Sequence, residues 1–226
     1  MPGRYVHRVE LTDLEPGRPY WFVVGDSVSG FSPERDFRTI PDTDEPLRFI
    51  AAGDTGVKAL SQQLQAVAAA EEPLFVLLGG DLAYTNGDWN QWPVWDQWLD
   101  NWQQAMVTPS GFTVPMVSAI GNHEVAGGYG GTPDDAPIYL KYLAQAGDSS
   151  YYTRRIGPRL CTTVPARQRP SSRAWRRPGA VVGVRVGRSC LRTGATGNLP
   201  RLPPSWVSFT HDPLLEAGPK ALAALV

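Results

Sequence analysis

LRFIAAGD at residues 47–54 and PLFVLLGGD at 73–81 decide the fold. Each is an apolar run that ends in Gly-Asp. The second is apolar without interruption, as expected of a strand buried on both faces. Between them, VKALSQQLQAVAAAEE at 57–72 repeats Ala, Leu and Val at helical spacing. Strand, helix and strand within about 30 residues form a βαβ unit and imply a parallel sheet. Outward from this unit, WNQWPVWDQWLDNWQQAM at 89–106 predicts a helix starting near Pro93. Its tryptophans at 89, 92, 95, 98 and 102 fall mostly on one helical face, which reads as core packing rather than a ligand-stacking stripe. TVPMVSAIGNHE at 113–124 is a third apolar run, ending in Gly121-Asn122-His123, and SWVSFTHDP at 205–213 is a fourth, ending in His211. The fold class is α/β.

N-terminal to the βαβ unit, residues 5–41 read as short strands separated by turn residues. Leu14-Glu15-Pro16-Gly17 followed by Tyr20 resembles the turn and strand of a fibronectin-like sandwich, whose tyrosine ties back to an upstream backbone group. Such a sandwich needs about 100 residues and seven strands. Residues 1–41 are therefore expected to be its C-terminal part, with an independent hairpin extension as the alternative. PDTDEP at 41–46 reads as a proline-bounded acidic linker. The second unit is expected to run from 46 to 226.

The chain has 226 residues, of which 42% are hydrophobic and 10% aromatic, enough to bury a core and to exclude global disorder. Its net charge of −1 gives no support to nucleic-acid binding. No apolar run approaches the roughly 20 residues of a membrane span. The start, MPGRYVHRVEL, lacks the apolar stretch of a signal peptide. The cysteines, Cys161 and Cys190, could form at most one bridge. The charge is unevenly spread: residues 1–153 carry 8 Lys/Arg and 20 Asp/Glu, whereas 154–202 carry 12 Arg and no acid.

Asp54, Asp81, Asn122 and His211 each stand just past the carboxyl end of an apolar run. In open α/β sheets, loops leaving that edge converge on one crevice. Two carboxylates, an amide oxygen and an imidazole can bind hard or borderline metal ions. Gly53, Gly80 and Gly121 precede three of the four, allowing a tight exit from the strand. A single Gly-Asp is usually only a turn, but three such turns in order point to a metal site.

GDTG at 53–56, GDLAY at 80–84 and GNHE at 121–124 resemble the first three signature blocks of the calcineurin-like metallophosphoesterases. They are most similar to the purple acid phosphatase branch, and WVSFTHDPLLEAG at 206–218 resembles the fourth block. The resemblance implies a metallophosphoesterase-like fold of mixed sheet layers flanked by helices, preceded by the partial fibronectin-like sandwich. It implies two metal ions, Fe(III) with Zn, Mn or Fe(II). Asp54 and Tyr84 would bind the first metal, Asp81 would bridge both, and Asn122 and His211 would bind the second. His123 would be catalytic, facing the phosphate and protonating or hydrogen-bonding the leaving oxygen, while Glu124 receives no direct role. Two cations roughly 3.5–4 Å apart clamp the oxygens of an in-line displacement and lower the pKa of bound water. The implied reaction is phosphomonoester hydrolysis by direct attack of metal-bound hydroxide. The implied partner is a small-molecule phosphoester, with no nucleic acid and no membrane, and kinship implies secretion.

Two departures accompany the resemblance. The family's fifth block, Gly-His-x-His, has no counterpart, for the only histidines are His7, His123 and His211. This leaves a catalytically inactive, truncated phosphatase-like chain as the alternative. The acid-free 154–202 block reads as a frame-shifted stretch with the frame recovered before Trp206, or as a basic insertion that binds anionic substrate or a polyanion; either predicts little stable packing there. A more distant alternative takes Asp54-Thr55-Gly56 as an aspartic-protease turn, which leaves GDLAY and GNHE unexplained.

Overall fold

The computed structural model describes residues 5–43, 45–128, 131–143, 150, 152–157, 160–164, 181–186 and 206–210, the last three segments by their backbone. The N-terminal segment contains β1 (Pro19–Phe22), β2 (Gly25–Asp26), β3 (Gly30–Phe31) and β4 (Arg35–Arg38). β1 pairs antiparallel with β4, and β2 with β3. The Glu15 N–H donates to Tyr20 Oη at 2.8 Å, the backward tie expected of this tyrosine. Tyr20 also stacks on Phe37 at 5.8 Å. Two strand pairs do not make a sandwich. The segment docks on the Phe112-Thr113 stretch: Thr113 N–H donates to the Asp36 carbonyl at 2.7 Å, and the Arg38 guanidinium lies 4.7 Å above the Phe112 ring.

The expected βαβ unit is present. β5 (Ile50–Ala52) leads through α1 (Ala59–Ala70) to β6 (Val76–Leu78); α2 (Trp92–Ala105) comes next, then β7 (Met116–Ser118) and α3 (Pro137–Leu143). α1 is shorter than the predicted 57–72 because Lys58 is extended and Glu72 takes a left-handed φ of 53° just before Pro73. α2 begins within a residue of the expected start, with Pro93 in its first turn, where a missing N–H costs nothing.

β5, β6 and β7 form a parallel sheet in that order, with Ala52 opposite Leu78 and Leu78 opposite Ser118. The register ends all three strands side by side, so the loops after them leave one edge together. Side chains alternate between faces along a strand. Ile50, Val76 and Leu78 accordingly join Trp95, Trp98, Trp102, Met106 and Tyr139 in one core. Phe49, Ala51, Phe75 and Leu77 join Ala119 and Ile156 in a second. Both faces are covered, which is why 73–80 is apolar throughout. Trp95, Trp98 and Trp102 are buried, as the core-packing reading requires.

The chain continues into β8 (Tyr152–Ile156), β9 (Leu160–Val164), β10 (Val181–Val186) and β11 (Trp206–Thr210), an antiparallel sheet in sequence order. One expectation changes here, and one observation is added. The arginine-rich block, where little stable packing is expected, includes two paired strands among its described residues. Leu-Cys-Thr-Thr-Val and Val-Val-Gly-Val-Arg-Val are rich in β-branched residues, and strand pairing follows that local preference despite the surrounding charge. The fourth apolar run is a strand, but it pairs with β10 rather than joining the edge formed by β5–β7. The parallel sheet and its flanking helices make this a mixed α/β fold.

Candidate metal and phosphate site

Three loops meet at the carboxyl edge of the parallel sheet. The first two run alongside each other: Asp54 N–H donates to Gly80 O at 3.0 Å, Thr55 N–H to Asp81 O at 3.0 Å, and Gly56 N–H to Leu82 O at 2.7 Å. Asp54, Asp81, Tyr84 and Asn86 all have left-handed φ values between 52° and 57°. Such a conformation costs a residue with a Cβ roughly 1–2 kcal/mol, so the surrounding bonds must hold it. Four instances in adjoining loops mark a rim whose shape is imposed by tertiary contacts. A helix packed beneath fixes it further, since Trp98 Nε1 donates to Thr55 Oγ1 and Trp95 Nε1 to Thr85 Oγ1, each at 2.9 Å.

Close approach explains two of the glycines. A Cβ on Gly80 would lie 2.5 Å from Gly121 N, and one on Gly121 would collide with Asp81 Oδ1 and the Asp81 backbone nitrogen. Gly53 is less constrained, its nearest neighbour from such a Cβ being Gly80 O at 3.4 Å.

Tyr84 Oη donates to Asp54 Oδ1 at 3.0 Å, bringing together two of the expected ligands of one metal. Burial and the Asp54 carboxylate hold the phenol above its ordinary pKa, so in the metal-free protein it is the neutral donor of this bond. Asp81 is fully buried; its Oδ1 accepts the His123 N–H at 2.9 Å, while Oδ2 receives no hydrogen bond. Asn122 follows Gly121 at the foot of the third loop, and its carbonyl closes a turn by accepting from Val125 N–H at 3.2 Å. The His123 ring lies on Tyr84, centroids 4.5 Å apart, and its Nδ1 is 2.6 Å from Asn86 Oδ1. An amide oxygen only accepts, so Nδ1–H is the donor of this bond, and Nε2 is the ring nitrogen that Asn86 does not hold. Asn86 N–H also donates to His123 O at 2.8 Å, so one residue holds the histidine by backbone and side chain.

Glu124 has a role that the sequence did not disclose. Its buried carboxylate accepts three backbone N–H bonds: Oε2 from Asp81 at 2.8 Å and Gly121 at 2.7 Å, Oε1 from Leu82 at 2.7 Å. It therefore clasps the loop after β6 to the loop after β7. Burial, and then the charge of Asp81, push its carboxyl up to about 7 despite the three donors that favour the charged form. Neither Glu124 nor Asn86 carried a signal for its partner, although Asn86-Gly87 does mark a turn compatible with left-handed backbone.

The structure thus brings together Asp54, Asp81, Tyr84 and His123, with Asn122 between Gly121 and His123. His211 lies outside the described residues. His7 is exposed in the N-terminal segment. Among the described residues no three His, Cys, Asp or Glu side chains form a metal-binding group. The donors that do meet are two carboxylates and a phenol, a set of hard oxygens fitted to hard cations.

The fold and site together make an α/β domain with carboxylates, a phenol and a histidine on the loops at the carboxyl edge of its parallel sheet. The chain belongs to the calcineurin-like phosphoesterase family, whose model matches residues 47–167, just over half of it. The uncharacterized protein Rv2577 of Mycobacterium tuberculosis is 31% identical over 157 residues, covering 62% of this chain and 28% of its own length. Purple acid phosphatase 13 of Arabidopsis thaliana is 29% identical over 155 residues, covering 53% of this chain and 27% of that protein. The chain thus spans little more than a quarter of these curated relatives. The structure of PhoD superposes with a TM-score of 0.51 at 16% identity, covering 74% of this chain and 40% of that one, a likeness of fold.

Proposed function

We propose that this chain carries the core of a metal-dependent phosphoester hydrolase of the acid-phosphatase type. One observation carries the reading: Asp54, Tyr84, Asp81 and His123, from two loops and a third, stand within hydrogen-bonding or ring contact at one sheet edge. Asp54 and Tyr84 would hold one metal, Fe(III) on the phenolate's preference, and Asp81 would reach both. Asn122 and His211 would hold the second, Zn, Mn or Fe(II). Bound ions would neutralise the phosphate charge and lower the pKa of water.

The chain's own residues do the rest. Asn86 and the Tyr84 ring fix the imidazole plane; with the ring doubly protonated, Nε2 of His123 would pass its proton to the departing ester oxygen as water adds to phosphorus, leaving the neutral tautomer whose Nδ1–H stays on Asn86. Positioned acid catalysis of this kind contributes about 10²–10⁴-fold. Glu124 holds the Asp81 and Gly121 backbones at a constant separation. A phosphomonoester is the proposed substrate class. The tyrosine tie in residues 5–41 supports reading that segment as part of a fibronectin-like sandwich, and kinship with purple acid phosphatases supports an exported protein.

Hydrolysis of p-nitrophenyl phosphate after loading with iron plus zinc or manganese tests the proposal, with bound metal measured in parallel. Turnover that disappears in Asp81→Ala and His123→Ala is expected. Full metal loading without turnover would select the inactive alternative, and turnover that survives both substitutions would place catalysis elsewhere.

A further inference from the structure

α1 is folded with its polarity inverted. It buries Gln65, 6% exposed, and Ala69, 1% exposed, whereas Leu60, Leu64 and Val67 are 51%, 36% and 65% exposed. Both amide atoms of Gln65 are buried without a hydrogen bond. A helix that packs only on its own domain turns the opposite way, apolar side inward. Residues 60, 64, 67 and 71 are spaced to lie along one face, so the outward leucines and valine form a stripe that ends at Glu71. No charge interrupts it between Ala59 and Ala70.

The charges at the two ends say what covers the stripe. The N-terminal end has Lys58 as its cap residue, with no side-chain cap bond and no acid in the first turn. The C-terminal end has Glu71 and no base in the last turn. The N-terminal arrangement opposes the helix's own dipole, which favours acids at the start, whereas at the other end the Arg48 guanidinium donates to the Glu71 carbonyl at 2.7 Å. The uncapped start complements a second α1 laid antiparallel, because each copy then brings the Glu71 carboxylate to the other's positive end. We propose that this face pairs with the same face of a second copy of the chain about a two-fold axis through Leu64. Leu60 then meets Val67 of the other copy. α1 has 12 residues and is about 18 Å long, so the contact is small and the dimer weak and concentration-dependent. The inference stands apart from the phosphoesterase reading, and its readouts do not involve turnover.

Sedimentation across a micromolar concentration series should show a monomer–dimer equilibrium, with and without chelator. Leu64→Glu should weaken the dimer more than tenfold, since it places two like charges at the axis. Orientation is read by cross-linking in a chain whose Cys161 and Cys190 are replaced by serine. Leu64→Cys should form a disulfide dimer, and Leu60→Cys and Val67→Cys should cross-link only when mixed. A strictly monomeric chain, a dimer unaffected by Leu64→Glu, or self-cross-linking of Leu60→Cys would overturn the proposal.

Discussion

The imidazole of His123 donates from Nδ1 to Oδ1 of Asn86 across 2.6 Å, and the Asn86 N–H returns a bond to the His123 carbonyl. Asn86 takes a left-handed φ of 52°, which asparagine and aspartate tolerate better than other residues with a Cβ. Asn86→Asp should therefore fold normally and keep an acceptor against Nδ1. Asn86→Leu should lower kcat by about tenfold or more with a smaller change in KM, because the ring loses its alignment rather than the substrate its contacts. Steady-state kinetics on p-nitrophenyl phosphate decide it, and equal kcat for wild type and Asn86→Leu would contradict the positioning role.

Glu124 predicts a stability defect. Replacing it by glutamine exchanges one accepting oxygen for an NH2 group that cannot accept, leaving at least one of the Asp81, Leu82 and Gly121 N–H groups buried and unmatched. The expected cost is about 1–3 kcal/mol for each orphaned donor. Glu124→Ala orphans all three and should be the worse of the two in urea unfolding of chelator-treated protein.

Gly121 admits no side chain. A methyl group there would meet Asp81 Oδ1, the Asp81 nitrogen and, at 2.8 Å, Glu124 Oε2. Gly121→Ala should displace Asp81, destabilise the protein by about 1–3 kcal/mol and reduce metal retention. Gly30→Ala serves as a contrast, because its methyl group meets nothing within 4 Å although its φ of 87° is itself strained. It should lose stability without losing metal.

Trp98 couples α2 to the GDTG loop. It is fully buried and donates to Thr55 Oγ1 at 2.9 Å. Trp98→Phe should cost about 1–3 kcal/mol through lost volume and a lost hydrogen bond, and Trp98→Ala about 3–5 kcal/mol. Thermal unfolding of the two variants gives the order.

Alkaline pH should destabilise the protein through Tyr139 and Tyr152. Both hydroxyls donate to the Ser118 carbonyl, at 3.2 and 2.6 Å, and burial raises both phenols above the ordinary value. The folded state therefore retains protons that the unfolded chain releases, so stability is full below about pH 10 and falls as pH rises beyond it. Doubly substituted Tyr139→Phe/Tyr152→Phe should show a flatter decline in that range.

Much of the architecture is legible in the residues. The apolar runs at 47–52 and 73–78, with a 3.6-residue periodicity between them, identify the βαβ unit, and the tryptophan spacing identifies a packed helix. Strand pairing at 160–164 and 181–186 escapes such a reading because composition hides short β-branched runs inside an arginine-rich stretch. The membership of β11 in the second sheet escapes it as well, since an apolar run carries no mark of which strand it pairs with.

Residue order alone determined the alternating strands and helices, the acids and histidine at strand ends, and the family. Those features depend on local periodicity and on residue type, which can be read along the chain. Only the tertiary structure decided that Glu124 clasps Asp81, that Asn86 holds His123, and that α1 turns its leucines outward. Each is a relation between groups set by how loops and helices approach once the sheet register is fixed, and no spacing within one segment encodes it.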